Sequence, residues 1–354
     1  MNKKPKVLIL GGGLSGMLIA WKLEETRIPY VLLEARERLG GRIHTVNLDG
    51  GGTLDFGATW FADKHHHLLS LVRSLGIPYE KQFQGTKVLY EYHHSQRMVE
   101  EIRLPEQAEP SYVFSKGTSS LIAAIHSRLD PINIFLQEPA TSLHLDSRQW
   151  IVKTNRRSFT TSFIVNTLPP NLFINTLKIS PKVPKELQAT SETTHTWMGE
   201  SIKAGLTFDK SPWRDQKVGS MFSQIGPFME WHDHIHQGSK AKILKGFIDP
   251  RFHHLSAAQR KSSVEKQLKL LFPQLQALSY HELDWQKEVY TFYQHPQSVF
   301  PHQNNGHEVL RKPYLEGRLY FAGTETADSY PGYLEGAVAR AKEVGNILLA
   351  SIQS

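Results

Sequence analysis

The chain has 354 residues, more than the roughly 250 to 300 at which single cores stop growing, so two domains are expected. Hydrophobic residues at 40% and charged ones at 21% exclude a disordered or fibrous chain, and no apolar run approaches the ~18 residues of a membrane span. The formal charge of +7 is scattered rather than clustered, which argues against nucleic acid, and the absence of cysteine excludes disulfides and thiolate metal sites.

Lys3, Lys4 and Lys6 precede an apolar run in the manner of a secretion signal. That run is better read as the first strand of a nucleotide fold, which removal would destroy, so a cytoplasmic protein is expected. Val7 to Leu10 form a short, wholly apolar run suited to a buried parallel strand. Gly11, Gly13 and Gly16 follow in G-x-G-x-x-G register, with Leu14 and Ser15 inside the turn and a helix starting by Met17. Such glycines permit a tight turn, close approach of a pyrophosphate and tight helix packing. A second apolar strand, Tyr30 to Leu33, ends in Glu34, whose carboxylate can accept hydrogen bonds from ribose hydroxyls and would repel a 2′-phosphate. A dinucleotide site is therefore predicted.

Past Glu34 the chain reads R-E-R-L-G-G-R, in which Gly40 and Gly41 let the backbone approach a ligand. Arg42 can meet pyrophosphate charge there and Arg36 the adenosine side. Leu54 to Phe61 read L-D-F-G-A-T-W-F, with small residues at Gly57 and Ala58 before Thr59 and Trp60. Phe114 to Leu121 contain another glycine turn, Leu136 to Leu145 read as a strand through Ala140, and Phe163 to Pro170 as a strand closed by paired prolines. A helix is expected from Ala257 to Leu271, whereas 65–112 is polar and read as irregular apart from a helix opened by His65-His66-His67. The last motif, Gly323 to Val338, is G-T-E-T-A-D-S-Y-P-G-Y-L-E-G-A-V.

G-T-E-T followed by G-Y-L-E-G-A resembles the C-terminal FAD signature of the flavin monoamine oxidases, and the chain is similar to a short, bacterial form of these FAD-dependent amine oxidases. The resemblance implies an α/β fold. A Rossmann-like, two-dinucleotide-binding FAD domain (1–64, 113–180 and 310–354) is interleaved with an α+β substrate domain (65–112 and 181–309) on an antiparallel sheet. FAD, held without a cysteine link, would contact Gly11, Gly13, Leu14, Ser15, Gly16, Glu34, Arg36, Gly41, Arg42, Gly57, Ala58, Thr59, Trp60, Ala140, Gly323, Glu325, Tyr333 and Leu334. With the sequence ending at Ser354, the membrane anchor some relatives carry is not expected here.

Two constellations speak to chemistry through that resemblance. Thr207 to Trp213, T-F-D-K-S-P-W, resembles the segment of the flavin-facing lysine, which points to Lys210 as the cation that speeds oxygen's reaction with reduced flavin. Tyr333 matches one wall of an aromatic cage that guides the amine; Trp60 and either Tyr293 or His295 complete the substrate side, the expected Gly-Gly-x-Tyr being absent. Expected partners are a small-molecule amine and oxygen. The rivals are a desaturase or isomerase of hydrophobic substrates on the same fold, and a partner-dependent FAD protein. Only 52 residues separate Phe61 from Phe114, far fewer than in the animal enzymes, implying an open site or one roofed by a partner or the second subunit of a homodimer. His65-His66-His67 and the alternating His232, His234 and His236 could share a face toward a metal, but no metal is expected, because G-P-F-M-E-W-H-D resembles a stretch of metal-free bacterial relatives.

Overall fold

All four residues of Val7–Leu10, of Tyr30–Leu33 and of Phe163–Asn166 are buried. Strands apolar on both faces need a layer on each side. The computed structural model, which describes residues 4–49, 51–106 and 108–353, supplies both layers; Lys3 lies outside the described residues. Five parallel strands run in the order Ile134–Phe135, Tyr30–Leu33, Val7–Leu10, Phe163–Asn166 and Leu319–Phe321. Alternate residues serve opposite cores. Val7, Ile9 and Leu32 pack with Ile19 and Leu23 of helix Leu14–Glu25, Ile125 of Ser119–His126 and Val344 of Leu334–Gln353. Leu8, Leu10 and Leu33 pack instead on Leu143, Trp150 and Val152 of a four-stranded sheet. Each such side chain, taken out of water, contributes roughly 1.5 to 3 kcal/mol, which fixes the sheet that carries the glycine turn.

A separate seven-stranded sheet has the order Ala277–Asp284, Ile202–Phe208, Lys242–Ile248, Phe228–Asp233, Val218–Ser223, Lys87–His93, Arg97–Arg103. Its pairs are antiparallel except for Val218–Ser223 against Lys87–His93. Helix Ala257–Leu271 covers it, starting at a capping box of Ser256 and Gln259 and burying Val264 and Leu268 among Trp213, Trp231 and Phe272. The reading of 65–112 as irregular is corrected. His66–Ser74 is the helix expected to open at the triple histidine; the correction lies beyond it, where Lys87–His93 with Arg97–Arg103 form a hairpin that extends this sheet. The alternation was masked because Arg97–Arg103 is an edge strand almost entirely exposed, with charges at Arg97, Glu100, Glu101 and Arg103 that guard against edge pairing.

The segment between the two halves runs from Thr53–Asp55 to Phe61–Ala62 and spans from one sheet to the other. Gly57 has no room for a side chain, since a Cβ would stand 2.0 Å from the carbonyl oxygen of Arg42. This strip forms one wall of the cleft.

Candidate active site

A single cleft of about 560 Å³ runs along the strip, lined at one end by Glu34, Glu138 and Ala140, centrally by Gly11, Gly13, Leu14 and Ser15, and at the other by Trp60, Lys203 and Tyr333. The central part is built for an anion. Helix Leu14–Glu25 begins at Gly13 with no side-chain cap and no acidic residue in its first turn, so its free N–H groups and positive dipole end face the cleft. Gly16 lies behind this surface, where a Cβ would meet the carbonyl oxygen of Gly11 at 2.0 Å; it seats the helix on the turn rather than lining the cleft. Glu34 is buried and accepts from the backbone N–H groups of Gly12 (2.7 Å) and Arg36 (2.9 Å). Its carboxylate is thereby held at the end of the strand with lone pairs to spare for hydroxyl donors. The residues present fit a dinucleotide: an uncapped helix terminus for the phosphates and an oriented carboxylate beside it.

The two arginines are restrained by partners. Arg36 donates to Glu288 at 3.0 and 2.8 Å and to the Thr291 hydroxyl at 2.7 Å, on the cleft's rim. Arg42 faces the cleft but pairs with Glu325 at 2.6 Å and donates to the Trp197 carbonyl at 3.1 Å. Glu325 is wholly buried and not on the cleft surface, and Gly323 likewise packs behind it against the Thr167 carbonyl. Thr324, Leu334 and Ala337 line it instead. Gly41, Ala58 and Thr59 also face the cleft.

The expectation for Lys210 is corrected. It is exposed in the loop beyond Ile202–Phe208 and does not line the cleft. Lys203 does, at the other end of that strand, seven residues away, which is about 23 Å of extended chain. Lys203 is buried, donates to the Gly57 carbonyl at 2.8 Å and lies 5.0 Å from the Phe247 ring centroid. Burial drives its ammonium down to about 8, against smaller opposing pulls from Asp55 and Glu230. On the neighbouring strand, paired with Gly205, Lys245 is also wholly buried. It donates to the Thr59 hydroxyl, sits 4.5 Å from the Trp60 ring centroid, and is pushed well below its ordinary value by burial. Sequence reasoning missed both, although each is a lysine set inside a largely apolar strand, IKAGLTF and KILKGFI, which is a signal in itself.

Tyr333 stands at the cleft with 40% of its surface exposed. Neither Tyr293 nor His295 comes near it. The Tyr293 carbonyl accepts from Asn171 at 2.8 Å while its ring is exposed, and His295 bonds to Asn171 and the Glu192 carbonyl. The rings that meet Tyr333 are His302, 6.0 Å away and within 11° of parallel, Trp197 at 5.8 Å and His65 at 6.5 Å; His302 and Trp197 stack at 3.9 Å. Burial lowers the His302 imidazole below its ordinary value, which keeps it uncharged at neutral pH. The reading failed because His302 follows an irregular loop, in which spacing from Trp285 carries no register. Trp60 lies edge-on to His232 at 4.9 Å, at the strip's end. Of the triple histidine, His65 is buried edge-on to Tyr330 at 4.9 Å, while His66 and His67 are exposed.

Comparison with known proteins places this geometry. The sequence model described as flavin containing amine oxidoreductase matches residues 14–109 and 91–348. The chain is 22% identical to flavin-containing amine oxidase B of Rattus norvegicus, over 99% of this chain and 87% of the relative. That alignment runs over 463 positions against 354 residues here, so the relative carries segments this chain lacks. Among solved structures, cyclohexylamine oxidase from Brevibacterium oxydans superposes with a TM-score of 0.87 at 18% identity, covering 99% of this chain and 100% of that one. A putrescine oxidase bound to putrescine superposes at 0.85 and 17% identity, covering 98% and 99%. No helix among the described residues is long and apolar enough to cross a membrane.

Proposed function

The chain belongs to the flavin containing amine oxidoreductase family, and from that premise we propose that it oxidises a small amine with oxygen as acceptor. The amine loses two electrons and two protons to become an imine, which water hydrolyses to an aldehyde and ammonia, while oxygen leaves as hydrogen peroxide. FAD, when bound, supplies the redox chemistry, and the chain supplies binding, orientation and electrostatics. The observation that carries this reading is that one cleft joins the Glu34 end to the Lys203 and Tyr333 end.

Each part of the chain has a task in that reading. Glu34 takes ribose hydroxyls, the Gly13 helix end takes the pyrophosphate, and Gly57 to Trp60 with Lys203 face the ring system. The boundaries 1–64, 113–180 and 310–354 would then delimit the cofactor-binding half, and 65–112 with 181–309 the substrate half. Tyr333 and His302 offer aromatic faces to the amine, with Trp197 behind His302. Aromatic faces hold a cationic amine by roughly 0.5 to 2 kcal/mol, and an uncharged His302 adds no repulsion. No strong acid–base pair is needed, because a neutral amine carries its own lone pair.

Two expectations arise here. Glu34→Ala should purify largely without flavin yet keep its far-UV spectrum. Since the chain has no cysteine, acid-denatured wild type should release all its yellow colour. Colour left on the denatured chain would overturn the non-covalent reading. The function itself is tested by peroxide release during an amine screen on the yellow protein. Tyr333→Phe should keep most of the activity and Tyr333→Ala lose more than ten-fold. The loss should fall in the anaerobic bleaching of the colour by amine, and activity should rise with pH toward the amine's own pKa. A Tyr333→Ala protein bleached at the wild-type rate would remove the reason for naming amines.

A further inference from the structure

Asp55, His234 and His236 meet in a buried corner that the reaction above does not use. The three residues are 0%, 3% and 5% exposed, and one ligand atom from each lies within 4.8 Å of the others. Their hydrogen bonding is incomplete in a patterned way. Oδ1 of Asp55 accepts from the Thr118 N–H at 3.0 Å and from the Thr45 hydroxyl, whereas Oδ2 has no hydrogen-bond partner. Nδ1 of His234 and both ring nitrogens of His236 have none. Buried polar atoms without partners are costly, so four in one corner call for an occupant.

We propose that Asp55, His234 and His236 form a site for one divalent ion of the zinc class. Two imidazoles and a carboxylate are the donor set of such an ion, leaving a fourth position for water. Nε2 of His234 lies 3.8 Å from the unpaired Oδ2 of Asp55 and would exchange its long 3.4 Å contact with the Asp55 N–H for the ion. Donors bound at zinc distances sit about 3.3 Å apart in a tetrahedron, so the corner closes by about an ångström on binding. The orienting groups are in place. Thr45 and Thr118 fix the carboxylate with Oδ2 free, and Glu80 stands 3.7 Å from Nδ1 of His236, where it can hold that N–H and leave Nε2 to the metal. Glu80 is partly exposed and its neighbour in this contact, Gln237, is exposed, which gives an ion a short way in.

The strand pattern that suggested His232, His234 and His236 as a set is thereby revised. The strand ends at Asp233, His232 turns to Trp60, and Asp55 takes the third place. Asp55 leads directly into the Gly57–Trp60 strip, so an ion there ties the cleft wall to the seven-stranded sheet. Its predicted effect is on stability.

The test uses the full-length, flavin-loaded protein, stripped with a chelator and then given Zn²⁺. Wild type should retain one zinc per chain through gel filtration and melt at a higher temperature than the stripped form. His236→Gln should keep its yellow colour and far-UV spectrum but bind zinc at least ten-fold more weakly, and the double variant His66→Gln/His67→Gln should bind as wild type does. Co²⁺ in place of Zn²⁺ should give wild type the visible absorption of a four-coordinate ion, and His234→Asn should lack it, so that a poorly folding His236→Gln does not decide the matter. Wild type that emerges without zinc, or a His236→Gln protein that holds as much as wild type, would overturn the proposal and mark any zinc as adventitious.

Discussion

Lys203→Met is expected to leave anaerobic bleaching of the yellow protein by a good amine within a few-fold of wild type. The return of colour on mixing with oxygen should slow by ten-fold or more. That factor is at least about 1.4 kcal/mol of transition-state stabilisation, a fair share of what one well-placed cation supplies where oxygen takes on negative charge in a dry site. Lys210→Met should change neither step, since Lys210 is exposed beyond the strand end. The pair of variants separates cleft from loop in one experiment: a normal rate of recolouring in Lys203→Met would return the lysine to a structural part, holding the Gly57 carbonyl.

Stability gives the same residue a second signature. Its folded value of about 8 lies below the ordinary 10.5, so the unfolded chain binds more protons between these limits. Stability from this group therefore rises as pH climbs from 8 to 10.5 and is at its lowest below 8, where the buried ammonium costs on the order of 3 kcal/mol. Lys203→Met removes that cost. Without flavin, the variant should gain on wild type in thermal stability at pH 7, and the gain should shrink toward pH 10.5. A constant difference across this range would mean that folding leaves the proton affinity of this amine unchanged.

What the sequence made legible was local. Val7–Leu10, the glycine turn and Tyr30–Leu33 with Glu34 obey short-range rules, as does Ala257–Leu271, and these elements fold as read. Lys203 escaped because Ile202–Phe208 is buried along its whole length, so there was no alternation to mark which residues face the strip. The letters T-F-D-K-S-P-W drew attention to the loop instead. His302 reaches Tyr333 through a loop whose path is set by tertiary contacts, among them its backbone N–H on His195 at 3.3 Å. Asp55 and His234 stand 179 positions apart, and only the packing of the strip on the sheet joins them. Chemistry that depends on two sheets meeting leaves little trace in either alone.

The other large effect is expected at Arg42. Arg42→Ala leaves the carboxylate of Glu325, which is 0% exposed, without its cation. Removing one partner of a buried pair typically costs about 3 to 5 kcal/mol, because the remaining charge is stranded. The variant should melt well below wild type and purify with little flavin. Either fact alone is ambiguous, since Arg42 also faces the part of the cleft where the helix end offers its free N–H groups. Arg42→Met combined with Glu325→Gln resolves this. Both charges are then absent, the stranded carboxylate is gone, and most of the melting temperature should return. Flavin retention should not return if Arg42 meets the pyrophosphate directly, because methionine offers that anion nothing. Should retention recover in step with stability, Arg42 would act on the cofactor only by holding Glu325 and the Trp197 carbonyl in place, and the anion would rest on the helix end alone.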